Sequence, residues 1–243
     1  MPAPYGLFAA AGGVLAALWL LRHRDGLGVT ENEFWAAMWT LLGGGIVGAK
    51  LLFVLLGWEH YARGELRFWA DFQVGFVFFG GLLGAALAGA TFAALRGLSF
   101  TRGADYFAVA IPLGHAIGRV GCFVAGCCHG RPPHPVQLYE AAGLALIALV
   151  CRGMVARVED GSRERGSAFR LYLALYGALR LVLDPLRGDG RPERLFGLSH
   201  QQGLALAVIA FAALWHAWST QRGQTARHSQ LDHLPQLDHP VRR

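Results

Sequence analysis

The chain has 243 residues, of which 54% are hydrophobic, 16% are charged and 33 are glycines. This composition is typical of helical membrane proteins, in which glycines line crowded helix contacts, and it argues against a soluble domain. The formal net charge of +6 does not predict nucleic-acid binding, because most arginines lie in short gaps between apolar runs, where they orient membrane helices.

Seven apolar runs predict an all-α, polytopic membrane protein with seven transmembrane helices. The first run has no Lys or Arg ahead of it, which favours a membrane span over a cleaved signal peptide. The N-terminus is predicted to lie outside, because the inner gaps and the tail would then carry twelve Lys and Arg residues and the outer gaps six. We expect a transmembrane domain over residues 1–219 and a polar cytoplasmic tail over 220–243. The predicted spans cover residues 5–21, 34–58, 72–95, 104–128, 135–155, 168–186 and 198–218.

The second and third spans carry signals of helix ends and helix contacts. Thr30 and Glu33 have the spacing of a capping box, which predicts a helix that starts just before Phe34. Lys50, which is the chain's only lysine, either reaches outward along the surface or lines a polar cavity. Gly80 and Gly84 form a GxxxG motif, for which close helix packing is the first explanation.

The fourth span ends in the most informative stretch of the chain. Helical spacing predicts one shared face for His115, Arg119, Cys122 and Gly126. An arginine within a membrane helix is energetically costly, so Arg119 is expected to face a polar cavity. A neighbouring stripe of small residues predicts a helix-packing seam, formed by Gly114, Gly118, Gly121 and Ala125.

The fifth and sixth spans add a second set of polar side chains. Gln137 and Glu140 share a face near the outer end of the fifth span, where Tyr139 can anchor the helix at the interface. Arg180 and Asp184 of the sixth span can neutralise each other, which gives a purely structural explanation of that pair. The full polar ridge of this span has four-residue intervals and consists of Tyr172, Tyr176, Arg180 and Asp184.

Two arginines on different helices are predicted to clamp an anion. In the predicted orientation, Arg119 and Arg180 lie at a similar depth in the outer half of the membrane. Guanidinium groups match phosphate oxygens and stay charged in any environment. The abundant anion in that leaflet is a phospholipid headgroup. The residues alone therefore predict a lipid phosphate as ligand, without indicating a reaction.

Two longer motifs carry a family resemblance. Residues 118–131 read GRVGCFVAGCCHGR and residues 134–140 read HPVQLYE. They resemble the signatures G-R-x-G-N-F-x-N-G-E-x-x-G-R and H-P-S-Q-L-Y-E of the bacterial prolipoprotein diacylglyceryl transferases. The resemblance continues through Y-G-x-x-R at residues 176–180, with Asp184 and Arg187 after it, and it extends over most of the chain.

The resemblance implies a multi-pass enzyme of the bacterial cytoplasmic membrane with no cofactor and no metal. Such an enzyme moves the diacylglyceryl group of phosphatidylglycerol to the cysteine thiol of a lipobox-containing preprolipoprotein, and glycerol phosphate leaves. The candidate catalytic residues are Arg119, Arg180, Glu140 and Cys127. The candidate substrate-binding residues are Lys50, Gly80, Gly81, Gly118, Cys122, Gly130, Gln137, Tyr139 and Tyr176.

Four positions depart from the family pattern. The family's histidine before the paired glycines is Phe79 here, and its second-helix arginine is Lys50. An asparagine and a glutamate of the central signature are Cys122 and Cys127. Because Phe79 removes a candidate base, the general base is left open between Glu140, His115 and His129.

The cysteines keep alternative functions open. Cys127 or Cys128 can act as a nucleophile in a divergent paralogue that uses another acceptor. A non-catalytic lipid-binding or metal-binding protein is a further hypothesis, in which His129 joins the cysteines, although their spacing matches no familiar zinc motif. The simplest explanation is that the cysteines are small residues at a tight helix end.

Overall fold

The computed structural model describes residues 3–67, 75–188, 194–195 and 198–232. These residues are mostly helical, which confirms the predicted all-α class. In chain order the elements are α1 (Ala3–Arg22), α2 (Arg24–Leu27), α3 (Glu31–Leu56), α4 (Trp58–Ala62), α5 (Phe78–Leu95), α6 (Phe100–Val124), α7 (Val136–Glu159), α8 (Ser167–Leu183), a 3-10 helix (Asp184–Leu186), β1 (Arg194–Leu195), β2 (Leu198–Ser199) and α9 (His200–Asp232). The strands pair antiparallel, with Leu195 opposite Leu198.

Five of the described helices are long and apolar enough to cross a membrane, namely α1, α3, α6, α7 and α9. The apolar part of α5 is shorter. Helix α8 has 17 residues and carries the buried Arg170 and Arg180. This set of helices supports a multi-pass membrane protein.

Capping residues fix the start of two helices. The hydroxyl of Thr30 accepts the Glu33 N–H at 3.3 Å, and the Glu33 carboxylate accepts the Thr30 N–H at 2.9 Å, which confirms the predicted capping box of α3. Ser199 and Gln202 make the same reciprocal pair of bonds at the start of α9, at 3.1 and 3.0 Å.

Two predicted helix ends near glycines are wrong. Residues 75–77 are not helical, since Gly75 has a φ of 75°, so α5 begins at Phe78; residues 72–74 lie outside the described part of the chain. Helix α6 ends at Val124 rather than near residue 128, because Gly126 adopts a left-handed φ of 66°. Gly126 therefore does not continue the helix face predicted for the end of the fourth span.

The remaining predicted helix bounds differ from the observed ones by a few residues, except at the end of α9. Helix α3 stops at Leu56, and the short α4 follows. Helix α7 continues to Glu159, and α8 stops at Leu183, where the 3-10 helix begins. The backbone of α9 remains helical to Asp232, across the predicted boundary at residue 219.

The core lies between α6, α7 and α8. Helix α6 packs on α7 and α8, while α1 packs on α6 and α9 packs on α8. Helix α3 joins this core through Phe34, which is fully buried. The centre of the core is formed by buried side chains of three helices, including Tyr106, Val109, Ile147, Cys151 and Tyr172.

Glycines let α3 and α5 approach to backbone contact. A Cβ added at Gly84 would lie 2.2 Å from the Gly44 carbonyl oxygen, and one at Gly80 would lie 2.4 Å from the Gly48 carbonyl oxygen. The GxxxG motif of α5 therefore meets a matching glycine pair on α3. This confirms the packing explanation for the motif.

The predicted seam on α6 is only partly used for packing. A Cβ at Gly114 would lie 2.8 Å from the Gly12 carbonyl oxygen of α1, and one at Gly121 would meet the side chain of Phe8. A Cβ at Gly118 would meet nothing within 4 Å, so the prediction is wrong for this glycine.

A buried carboxylate joins α6 to α8 at the end of the bundle where α6 begins. Asp105 of α6 is 1% exposed. Its two oxygens accept backbone N–H groups at the start of α8, which would otherwise have no partner within the helix. The donors are Gly166 at 2.6 Å, Ala168 at 2.9 Å and Phe169 at 3.1 Å.

Candidate active site

Three arginines converge on one buried carboxylate at the opposite end of the bundle. Oε1 of Glu140 lies 3.0 Å from Nη2 of Arg119 and 3.2 Å from Nη1 of Arg180. Oε2 of Glu140 lies 3.5 Å from Nη1 of Arg187. The Glu140 side chain is 0% exposed, and those of the arginines are 16%, 8% and 4% exposed, respectively. These four side chains are called the Glu140 cluster below.

The direction of the helices brings three members of the cluster together. Arg119 lies near the C-terminal end of α6, Glu140 lies one turn into α7, and Arg180 lies in the last turn of α8. Helix α7 runs back along α6, and α8 reverses again, so these positions meet at the same end of the bundle.

Arg187 lies after α8, and backbone hydrogen bonds hold its segment of the chain beside the cluster. The N–H of Arg131, in the loop after α6, donates to the Leu186 carbonyl at 2.8 Å, and the N–H of Gly188 donates to the His129 carbonyl at 3.1 Å. These bonds hold the segment after α8 against the loop that leads into α7, which carries Glu140.

Two guanidinium groups share one carboxylate oxygen in the cluster. Arg119 and Arg180 both pair with Oε1 of Glu140, at 3.0 and 3.2 Å. Nε of Arg119 is also buried and has no hydrogen-bond partner among the described residues. Buried charge and an unpaired donor are both costly without a partner. The cluster is therefore suited to bind an anion.

Arg180 and Asp184, which were predicted to pair with each other, each bond to a residue of another element. Arg180 bonds to Glu140 at 3.2 Å, whereas Oδ2 of Asp184 accepts the hydroxyl of Ser199 at 2.6 Å. The second contact ties the end of α8 to the start of α9. The i, i+4 neutralisation therefore does not explain the buried arginine.

A histidine and two tyrosines lie beside the cluster. Nε2 of His115 is 4.0 Å from Oε1 of Glu140, and the His115 side chain is 30% exposed. Its ring lies 5.9 Å from the ring of Tyr176, which stacks on Tyr172 at 5.8 Å. Tyr176 and Arg180 of the polar ridge predicted on α8 thus face His115 and the cluster.

The cysteines of the central signature form a compact group next to this region. The Sγ atoms of Cys122, Cys127 and Cys128 lie within 4.8 Å of one another. The chain turns back onto the end of α6 because Gly126 and Cys128 both adopt left-handed backbone angles. Nε2 of Gln137 donates to the Cys127 carbonyl at 2.9 Å, which joins this loop to the first turn of α7.

Comparison with known proteins identifies the family. The family model described as prolipoprotein diacylglyceryl transferase matches residues 3–218. The chain belongs to this family. It is 31% identical over 214 residues, or 80% of each chain, to a phosphatidylglycerol–prolipoprotein diacylglyceryl transferase of Geobacter sulfurreducens. Enzymes of the same name from Bacillus cereus and Clostridium tetani are 30% and 28% identical, and the alignments cover 85% and 84% of this chain and 84% and 88% of theirs. The resemblance predicted from the motifs is confirmed, and the protein is a transferase.

Three glycines that were predicted as substrate contacts lie in closely packed positions. Gly80 packs on α3, as described above, and Gly81 faces the Gly45 carbonyl and Ala49 at slightly longer distances. A Cβ at Gly130 would lie 2.3 Å from the His134 carbonyl oxygen. A role of these residues in substrate binding stays a prediction.

The other predicted substrate contacts have room for a ligand or are buried near aromatic rings. Open space faces Gly118, and Tyr139 is 42% exposed with its ring beside that of His134. Lys50 is buried, with Nζ 5.4 Å from the centre of the Phe53 ring. The burial of Lys50 favours the interpretation that this lysine lines a polar cavity over the interpretation that it reaches outward along the surface.

The active site predicted from the sequence did not include Arg187. This arginine follows the 3-10 helix, so helical periodicity gives no signal for it. The family motif on residues 176–187 was the available signal, since it contains an arginine at this position. Asp105 was missed because its partners lie 61 to 64 residues away in the chain.

Proposed function

We propose that this protein transfers the diacylglyceryl group of phosphatidylglycerol to the cysteine thiol of a lipobox-containing preprolipoprotein. The observation that carries the proposal is the Glu140 cluster, in which Arg119 and Arg180 share one carboxylate and Nε of Arg119 has no hydrogen-bond partner among the described residues. The names of its relatives give the donor and the acceptor class.

In this reaction a C–O bond between the glyceryl group and phosphate breaks while an S–C bond to the acceptor thiol forms. Negative charge grows on the leaving phosphate oxygen. The guanidinium groups of Arg119 and Arg180 are held in place before the reaction, and such preorganised donors stabilise developing charge strongly. Glu140 is fully buried and both of its oxygens face guanidinium groups, so its role is to position the arginines.

The acceptor thiol must lose its proton, because a free cysteine is mostly protonated at neutral pH. His115 is suited to receive this proton, since its imidazole lies 4.0 Å from the cluster and is partly exposed. We therefore propose His115 as the base among the three candidates left open by the sequence. His129 lies exposed in the cysteine loop, and Glu140 has no exposed surface.

We further propose that α5 and α8 complete a set of seven spans, with the N-terminus outside and residues 220–243 in the cytoplasm. The twelve-to-six distribution of Lys and Arg supports this orientation. The Glu140 cluster then lies in the outer half of the cytoplasmic membrane, where exported preprolipoproteins become accessible. Residues 1–219 form the transferase domain.

The test uses the full chain in lipid nanodiscs with a fluorescent lipobox peptide. With phosphatidylglycerol as donor we expect the peptide to gain a diacylglyceryl group, and with phosphatidylethanolamine alone we expect no product. Arg119→Lys keeps the charge but removes Nε and the planar fork, so the rate should fall about 10²–10³-fold. Arg157→Lys, at an exposed position far along α7, is the matched control. Equal rates for both variants would reject the role of the cluster, and absence of product with wild-type protein would reject the reaction.

A further inference from the structure

The cysteines that replace family residues form a group with the dimensions of a metal site. Cys122, Cys127 and Cys128 are free thiols with Sγ atoms within 4.8 Å of one another. Metal–sulfur bonds of about 2.3 Å place the three sulfurs of a trigonal site roughly 4 Å apart. Small changes in side-chain angles are therefore enough to bring all three sulfurs to one ion.

We propose that Cys122, Cys127 and Cys128 bind one Cu(I) ion as thiolates. Thiolates select soft cations, among which Cu(I) and Zn(II) are the common ones. Structural Zn(II) sites almost always use four protein ligands. The group has three members among the described residues, and His129 lies exposed outside it, which favours the lower coordination number of Cu(I).

The surrounding charge is complementary to this site. Three thiolates with one Cu(I) carry a formal charge of −2, and the Arg119 guanidinium belongs to the neighbouring Glu140 cluster. Cys122 follows Arg119 by three residues on α6, so both side chains lie on the same side of the helix.

The ion would also join the end of α6 to the loop that leads into α7. Cys122 belongs to α6, while Cys127 and Cys128 lie in the loop that leads into α7. The N–H of Cys127 donates to the Cys122 carbonyl at 3.0 Å, and Gln137 of α7 donates to the Cys127 carbonyl. Because an ion that binds the folded state stabilises it, Cu(I) is expected to raise the melting temperature.

The test is a titration of reduced, detergent-solubilised protein with Cu(I) without oxygen, in competition with a chromophoric Cu(I) chelator. We expect one bound ion per chain, three Cu–S bonds of about 2.3 Å by X-ray absorption and a higher melting temperature. Cys127→Ser and Cys128→Ser should each weaken binding at least tenfold. Cys151→Ala is the matched control, because Cys151 lies in the core beside the Ala168 carbonyl, and this variant should bind Cu(I) like the wild type.

Three results would overturn the proposal. The first is equal Cu(I) affinity in the wild type and in a Cys122→Ser/Cys127→Ser/Cys128→Ser variant. The second is stronger binding of Zn(II) than of Cu(I) in direct competition. The third is an absorption spectrum of the wild-type complex with fewer than three sulfur ligands, a measurement that does not depend on whether any variant folds.

Discussion

Nη2 of Arg119 and Oε1 of Glu140 lie 3.0 Å apart, although 20 residues and a change of chain direction separate them. This contact lies at the end of the bundle where α6 ends and α7 begins. The arginine is held by the carboxylate rather than by solvent, and its Nε remains available for a ligand. Arg180 and Arg187 complete the cluster, at 3.2 Å from Oε1 and 3.5 Å from Oε2 of Glu140.

Replacing Glu140 by Gln should destabilise the protein and abolish transfer. The change leaves the buried guanidinium groups of Arg119 and Arg180 without the carboxylate that they share, and breaking a buried ion pair on one side costs about 3–5 kcal/mol. The melting temperature in detergent and the transfer rate measure the effect. Glu164→Gln, at a half-exposed carboxylate that pairs with Arg170, should stay close to wild type.

A double variant distinguishes the effect of a lost charge balance on stability from the effect of losing the carboxylate itself. Glu140→Gln combined with Arg180→Gln removes one guanidinium together with the carboxylate that it pairs with, so the double variant should melt above the Glu140→Gln single variant despite carrying one more substitution. If the double variant melts lower still, charge balance is not what holds the cluster together.

Replacing His115 by Gln should lower the transfer rate about 10²–10⁴-fold while phosphatidylglycerol binding is retained, because general-base catalysis contributes about that much. The imidazole accepts a proton only in its neutral form, so the wild-type rate should decrease as the pH falls, and the variant should lose this decrease. Rates measured across pH test both points. His60→Gln, at an exposed site beside Glu65, is the control. An unchanged pH profile in the His115 variant would assign the base to another group.

Replacing Gly84 by Ala should separate α3 from α5. The new Cβ would lie 2.2 Å from the Gly44 carbonyl oxygen, and a backbone atom cannot move away as a flexible side chain can. We expect a melting temperature lower by several degrees. Gly43→Ala places a Cβ in open space on α3 and should be neutral or stabilising by up to about 1 kcal/mol. Equal melting temperatures would mean that the glycine contact does not limit stability.

Replacing Asp105 by Ala should destabilise α8. Three backbone N–H groups would lose their acceptor in a buried position, at a cost of about 1–3 kcal/mol. Thermal unfolding measures the loss, and Asp25→Ala, whose side chain is 95% exposed, serves as control. The cap is unimportant if both variants unfold at the same temperature.

A green fluorescent protein fused after Arg243 should fluoresce, because it matures in the cytoplasm and the twelve-to-six charge distribution predicts a cytoplasmic C-terminus. A periplasmic phosphatase at the same position should be inactive. The opposite pair of results would reverse the orientation and place the Glu140 cluster in the inner half of the membrane.

Much of the fold could be predicted from the sequence because the signals are local. The capping box at Thr30 and Glu33 lies within one helical turn, and it formed as predicted. The GxxxG motif that starts at Gly80 also acts through the surface of its own helix. The helix ends at residues 75–77 and 126 were missed, because they depend on single glycines with positive φ, which the apolar pattern does not reveal.

The sequence by itself determined the helical class, the family and the presence of Arg119, Arg180 and Glu140 near one end of the bundle. Only the tertiary structure decided that both arginines bind the same carboxylate, that Arg187 joins them and that Asp105 caps a distant helix. Periodicity gives the face of a helix on which a side chain lies, but not the rotation of one helix against another. A contact at 3.0 Å between helices depends on that rotation, and it is set by the packing of the whole core.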